Sequence, residues 1–196
     1  MQDDETLKFY AENARAYAGR GRWPAKRLGA FLAALPPGAR VLELGTGGGQ
    51  DARAMLDAGL EVTPTDGSAE LAREAEKLLG RPVRVMRFDE LDEVDAYDGI
   101  WAAASLLHAP RRTLTGILTL VHRAMRPGAT FVASFKGGQA EGRDGFGRYY
   151  NYFDGPTLLR HFEDAADWEN LEISQELGSG YDGKATDWLW VTARRR

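Results

Sequence analysis

The chain has 196 residues, a formal net charge of -4 and no cysteine. That length suits one domain with a substantial core, the charge offers no nucleic-acid surface, and the missing thiol excludes disulfides, thiolate metal sites and a cysteine nucleophile. No apolar run approaches membrane-spanning length and the acidic start MQDDETLKFY is unlike a secretion signal, so the expectation is a cytoplasmic protein, a monomer or weak homodimer, without membrane or nucleic-acid partners.

Leu7 to Gly19 reads as an amphipathic helix, with Leu7, Tyr10, Ala14 and Tyr17 at helical spacing. Pro24 suits the first turn of a second helix running to about Leu35, which Pro36, Pro37 and Gly38 break. Residues 1–38 are thus expected to be a helical cover. A short apolar strand, Arg40 to Leu44, follows, then a glycine-rich turn and a helix from Gln50 to Asp57. Leu60 to Thr65 reads as a second strand, and Ser68 as the N-cap of a helix to Leu79. Pro82 to Phe88 is a third strand and Asp89 to Asp95 an acidic turn. Tyr97 to Ala103 is a fourth strand, Pro110 to Met125 a long helix stopped by Pro127 and Gly128, and Thr130 to Phe135 a fifth strand. A polar glycine-rich loop runs from Gly137 to about Gly147, and Pro156 to Phe162 is the core of a further helix. Two last strands, Trp168 to Leu177 and Lys184 to Ala193, flank the turn Gly178 to Gly183 and should pair antiparallel.

Alternating strands and helices imply an α/β, three-layer doubly wound Rossmann-like sheet. Seven strands are expected, mostly parallel with an antiparallel last strand. Ligands in such sheets bind at the carboxyl ends of the strands. Glu43, Asp66, Asp89 and Ala103 all lie at such ends, so four loops converge on one crevice.

The stretch VLELGTGGGQD, Val41 to Asp51, is the most informative. Its glycines let the backbone turn sharply and approach a ligand. Gln50 stands where the third glycine of a dinucleotide fingerprint would fall. Glu43 ends the strand and Asp51 opens the helix, where a pyrophosphate would want positive charge. Two carboxylates there favour a ligand with an ammonium or sulfonium, a description that S-adenosylmethionine fits. Read as plain structure, the segment is a strand-turn-helix with Asp51 on the helix dipole. Asp66 can accept both hydroxyls of a ribose or be a turn aspartate. Asp89 can take the exocyclic amine of an adenine, with Phe88 or Leu91 against the ring, or belong to a solvated acidic turn.

Taken together, these segments resemble the class I S-adenosylmethionine-dependent methyltransferases. ELGTGGGQD is similar to their first motif, VTPTDGS to their second and RFDEL to the adenine-binding acid segment. DGIWAAASLLHAP is similar to the fourth strand with its following loop, and RAMRPGATFVASF to the approach to the fifth strand. The resemblance implies a strand order of 3-2-1-4-5-7-6 and a single methyltransferase domain over 1–196. Residues 39–135 would be its cofactor-binding core and 136–196 its substrate-side loop, helix and hairpin. It assigns cofactor contacts to Tyr10, Tyr17, Glu43, Gly45, Thr46, Gly47, Gly49, Asp51, Asp66, Gly67, Ser68, Phe88, Asp89, Glu90 and Ala103. Within the class, the compact size resembles the small-molecule branch, including tellurite-resistance and thiopurine-type enzymes. Pro64 departs from the small or β-branched residues usual before the second acid, and Gly180 and Tyr181 stand where the tellurite-resistance type has a His-Arg pair.

The implied chemistry is in-line methyl transfer from S-adenosylmethionine to a small molecule, leaving S-adenosyl-L-homocysteine. No metal is expected, because His108, His122 and His161 show no ligand spacing. His108 is the candidate general base, or a histidine that packs on the cofactor or caps the following helix. Arg143 and Arg148, in the loop after the fifth strand, are expected to orient an anionic or oxyanion-bearing acceptor, with the loop as a lid or as a mobile solvated segment. Two alternatives remain open: a nicotinamide-dependent oxidoreductase, and a non-catalytic S-adenosylmethionine-binding regulatory protein.

Overall fold

A computed structural model of the chain describes residues 3–20, 25 and 27–196. Helix α1 (Asp4–Glu12) is capped by the Asp3 carboxylate, which accepts from Thr6 N at 3.2 Å. The single amphipathic helix expected to Gly19 is instead two. Asn13 breaks it, its amide donating to the Phe9 carbonyl at 2.8 Å, and α2 (Ala14–Ala18) continues beyond. Asparagine competes for backbone partners in this way wherever it falls inside a helical pattern. Pro24 lies outside the described residues; the rest of the second expected helix is α3 (Leu28–Ala33).

The sheet strands are β1 (Arg40–Leu44), β2 (Glu61–Asp66), β3 (Arg84–Val85), β4 (Tyr97–Ala102), β5 (Met125–Lys136), β8 (Trp168–Ser179) and β9 (Ala185–Arg195). A separate ribbon is made by β6 (Gly142–Arg143) and β7 (Tyr149–Tyr150). The crossover helices are α4 (Gln50–Asp57), α5 (Ala69–Leu79), α6 (Arg111–Ala124) and α7 (Gly155–Ala165). Strands lie in the order β3-β2-β1-β4-β5-β9-β8. Counted within the main sheet alone, that is the expected 3-2-1-4-5-7-6. β1 pairs parallel with β2 (Val41↔Val62) and β4 (Val41↔Gly99), while β9 runs antiparallel to both β5 and β8.

The central strands are apolar on both faces, as a sheet covered on both sides requires. Leu42, Leu44, Ile100, Phe131 and Phe135 pack towards α6 and α7; Val41, Val62, Trp101 and Val132 pack towards α3, α4 and α5. Two elements differ from expectation. The third strand shrinks to two residues because it is an edge paired only with Thr65 and Asp66; Phe88–Glu90 then forms a 3-10 turn. The fifth strand starts at Met125 rather than Thr130. Pro127 and Gly128 end the helix but sit within the extended chain, where a register shift separates Tyr97 from Gly99 in β4.

Candidate active site

The carboxyl ends of β1, β2, β4 and β5 open on one crevice, and the glycine turn after β1 forms its floor. Gly45 and Gly47 have φ of 77° and 58°, open to glycine at little cost. A Cβ on Gly45 would stand 2.5 Å from that of Ser105. The turn is tied to β2 because Gly45 N and Thr46 N both donate to the Thr65 carbonyl, at 3.0 and 2.7 Å. Glu43 is buried and accepts from the Thr46 hydroxyl. Asp51 is buried too, accepting from Ala25 N at 2.8 Å and Trp101 Nε1 at 3.0 Å. Among the described residues, neither lines the two spaces that open at this turn. This corrects the expectation of two carboxylates facing a ligand: they hold the turn from behind. Burial in an apolar sheet demands that each find donors, and the donors lie in the scaffold.

Asp66 does face the crevice. Its two oxygens accept from Gly47 N at 3.0 Å and Ser68 N at 2.9 Å, which leaves lone pairs for a further donor on each. Burial pushes this carboxyl up to about 6, against the backbone bonds from Ser68, Gly47 and Gly67. Gly67, Phe88 and Leu71 continue the wall of this narrow cleft, about 50 Å³ in volume. Ser105 lies in the same wall, and its buried hydroxyl has no hydrogen-bond partner among the described residues. Ser68 turns inward to cap α5, accepting from Leu71 N at 3.2 Å. Asp89 and Glu90 are exposed in the 3-10 turn beyond Phe88 and do not line the cleft. Glu90 accepts from Arg87 N at 2.7 Å.

The cleft opens into a cavity of about 360 Å³ walled by Tyr10, Tyr17, Thr46, Gly48, Ala103 and His108 near the turn, and by Lys136, Arg148, Tyr150, Tyr181 and Trp188 further out. Tyr10, Tyr17, Gly45, Gly47, Ala104 and His108 border both spaces. Gly49 lies beneath, against Leu79 and Ala75, and is in neither wall. Ala104 has φ of 54°, a conformation rare outside glycine, and its N–H donates to Ser134 Oγ at 2.8 Å.

His108 is buried, and both ring nitrogens are engaged. Nδ1 is 2.6 Å from the Tyr149 carbonyl and must carry the proton; Nε2 is 2.9 Å from the Tyr10 hydroxyl and accepts from it. Burial, assisted by Arg148 and Lys136 and opposed by the Tyr149 bond, pushes the imidazole down to about 3. The ring is therefore neutral and weakly basic near neutrality. This geometry does not suit the expected general base; it suits a group that fixes Tyr10. The other histidines are structural. His122 packs edge-on against Trp168 and His161 Nδ1 lies 2.9 Å from Thr115 Oγ1.

Arg148 and Arg143 separate. Arg148 is buried in the cavity wall, held by Asp144 through Nε at 3.0 Å and Nη2 at 2.6 Å, with the Tyr181 ring 4.5 Å from its guanidinium. Arg143 is exposed and grips Asp3 with both terminal nitrogens, at 2.9 and 2.7 Å, outside the cavity. The expectation that both arginines face an acceptor fails for Arg143, whose guanidinium is drawn to the Asp3 carboxylate at the start of α1. Sequence reasoning left Lys136 and Trp188 out of the candidate set. Lys136 ends β5 at the crevice, a position from which it was accessible to the same strand-end argument.

The arrangement is the Rossmann-like methyltransferase fold. Residues 42–131, from β1 into β5, match a family model described as a methyltransferase domain. No curated protein sequence matches the chain. Among solved structures, it is similar to the Burkholderia thailandensis 1,6-didemethyltoxoflavin-N1-methyltransferase with bound 1,6-didemethyltoxoflavin and S-adenosylhomocysteine. The identity is 22%, 98% of this chain and 88% of that one are covered, and the TM-score is 0.73. A Methanosarcina mazei SAM-dependent methyltransferase is 17% identical over 89% of this chain and 99% of its own, with a TM-score of 0.74. A Haemonchus contortus phosphoethanolamine N-methyltransferase in complex with S-adenosyl-L-methionine is 15% identical over 95% of this chain and 56% of its own, with a TM-score of 0.72.

Proposed function

We propose that the protein is an S-adenosylmethionine-dependent methyltransferase that acts on a small molecule by direct in-line transfer. The observation that carries this reading is the joined pair of spaces at the glycine turn. The narrow cleft offers Asp66 to a ribose and Phe88 to an adenine, and the Ser105 hydroxyl supplies a further polar contact. The wider cavity offers an aromatic-walled chamber for an acceptor. Tyr10 and Tyr17, bordering both, stand where the transferred methyl would cross. The catalytic contribution of such a site is to place nucleophile, methyl carbon and sulfur in line and to exclude water.

The chamber's size and enclosure suit a small acceptor rather than a polymer, and the likeness to the Burkholderia enzyme over nearly the whole chain points the same way. Of the two arginines expected to orient an oxyanion, only Arg148 lines the chamber, since Arg143 points elsewhere. A nicotinamide dinucleotide is disfavoured by Gln50 in the place of the third glycine of its fingerprint. Calorimetry with S-adenosylmethionine, S-adenosylhomocysteine and NAD tests the reading. Binding of the first two is expected; micromolar NAD binding without any response to S-adenosylhomocysteine would overturn it.

A further inference from the structure

The outer part of the large cavity has an unusual charge arrangement. Lys136 is only 8% exposed, yet its ammonium sits at the cavity wall, 4.0 Å from the centre of the Tyr150 ring and 6.0 Å from that of Trp188. Among the described residues no carboxylate forms an ion pair with it. Asp144 is engaged by Arg148, and Asp182, in the turn between β8 and β9, pairs with Lys184 at 3.7 Å. The charged groups that face Lys136 are thus Arg148 and Asp144 from the β6–β7 ribbon and Asp182 from the hairpin turn. Arg20 joins the cationic side of the wall, its guanidinium 3.6 Å from the Tyr181 ring centre. A buried ammonium is costly without an anion beside it, and burial, with Arg148 adding to it, lowers the affinity of Lys136 for its own proton.

Lys136 apart, the same chamber lacks a base. His108 is neutral with both nitrogens bonded, and Asp66 faces the other space. Tyr10 donates its proton to His108 and accepts from Arg148 at 3.3 Å. Apart from Lys136, an acceptor that needed a proton removed by a side chain would find none suited to it.

We propose that the acceptor is a planar ring compound bearing an acidic O–H or N–H, bound and methylated as its anion, with Lys136 holding the negative charge and Tyr150, Tyr181 and Trp188 enclosing the ring. The inference rests on the methyltransferase reading above. The acceptor loses its proton to water as it binds. Its lone pair then forms the bond to the methyl carbon, the carbon–sulfur bond breaks with its electron pair passing to sulfur, and the sulfonium becomes a neutral thioether. The anion and the sulfonium are exchanged for two neutral products, so the anion's ion pair with Lys136 is lost on turnover, which favours product release. Lys136 stabilises the nucleophile without taking its proton, which explains how a site with so weak a histidine can work near neutrality.

The probe is 4-nitrophenol, whose anion alone absorbs in the visible range. It is titrated with pH in the presence of excess protein and saturating S-adenosylhomocysteine. The expected result is that binding makes the phenol about tenfold or more stronger as an acid. That shift is lost in Lys136→Met and kept in Lys136→Arg, while both variants retain wild-type affinity for S-adenosylhomocysteine by calorimetry. Failure of the wild type to bind the phenol, binding of neutral phenol as tightly as its anion, or an anion preference that survives Lys136→Met would each overturn the proposal. Absence of S-adenosylhomocysteine binding to the wild type would instead overturn the reading beneath it.

Discussion

Asp66 and His108 carry proton equilibria displaced in opposite directions, and the two have distinguishable consequences. The Asp66 carboxyl is raised from 3.8 to about 6. Between those values the folded chain holds a proton that the unfolded chain has lost, so this group's contribution to stability declines as pH rises through that window. His108 is lowered from 6.5 to about 3. Its contribution is complete above 6.5 and is lost as pH falls towards 3, because the unfolded chain takes up the proton first. A ligand whose hydroxyls donate to Asp66 favours the ionised form. S-adenosylhomocysteine affinity should therefore rise roughly tenfold between about pH 5 and pH 7, and the dependence should flatten in Asp66→Asn. Calorimetry across that range measures it; a flat wild-type profile would place the ribose elsewhere. For His108, substitution by Gln should slow turnover less than about tenfold and leave the acid limb of the pH–rate profile in place. Removal of a true general base costs about 10²–10⁴, so a loss of that size would restore the base assignment.

The α1 helix acts as a wall of the narrow cleft through Asp3, Thr6, Leu7 and Tyr10. It is held there from three sides. Arg143 grips Asp3, Arg87 reaches Asp4 at 2.6 Å, and the Thr6 hydroxyl accepts from Tyr149 N at 2.8 Å. Exposed ion pairs contribute little to global stability, so Arg143→Ala should leave the melting temperature nearly unchanged. It should nevertheless speed amide exchange across α1 and α2, and bound S-adenosylhomocysteine should restore part of the protection. Exchange mass spectrometry of residues 4–18 in wild type and variant decides this; identical exchange would show that Thr6 and Arg87 suffice. None of these clasps was legible in the sequence. The apolar spacing of Leu7, Tyr10 and Tyr17 announced a helix, but Asn13 breaks it, and Asp3 and Arg143 are 140 positions apart. The glycine turn and Asp66 were legible because local geometry decides where they point along the chain, whereas Glu43 lies behind the turn and Asp89 stays exposed outside the cleft. The inward turn of Asp51 towards Trp101 was not legible, because it depends on what packs across α4.

For the molecule as a whole, pattern predicted a doubly wound, mostly parallel sheet with a final antiparallel hairpin, and the methyltransferase resemblance supplied the strand order that the sheet shows. Alternation of strand and helix, combined with right-handed crossovers, leaves few arrangements, and a hairpin of two long strands can only be added at an edge without breaking the parallel set. Register, strand length and the β6–β7 ribbon depend on contacts between distant segments and were not accessible. Among the described residues no helix is long and apolar enough to cross a membrane. Because the two spaces draw walls from α1, from the ends of β1, β2, β4 and β5, and from the β8–β9 hairpin, a ligand filling both would tie every layer together. At a hundred times its dissociation constant such a ligand adds about 2.7 kcal/mol. For a chain of this size that raises the melting temperature by about 5–10 °C. Differential scanning fluorimetry with S-adenosylhomocysteine measures the shift, and NAD at equal concentration should give none.

The clasped α1 also bears on time as well as strength. The wall held by Asp3, Asp4 and Thr6 closes one side of the narrow cleft, so a nucleoside entering by that side must wait for those contacts to part. Association should follow the ligand concentration only while ligand is scarce, then level off at a rate belonging to the protein alone. In stopped-flow mixing with S-adenosylhomocysteine, the plateau reports how often the empty molecule opens. Arg143→Ala should raise that plateau, whereas a strictly linear rise in wild type would mean that the nucleoside enters by another route.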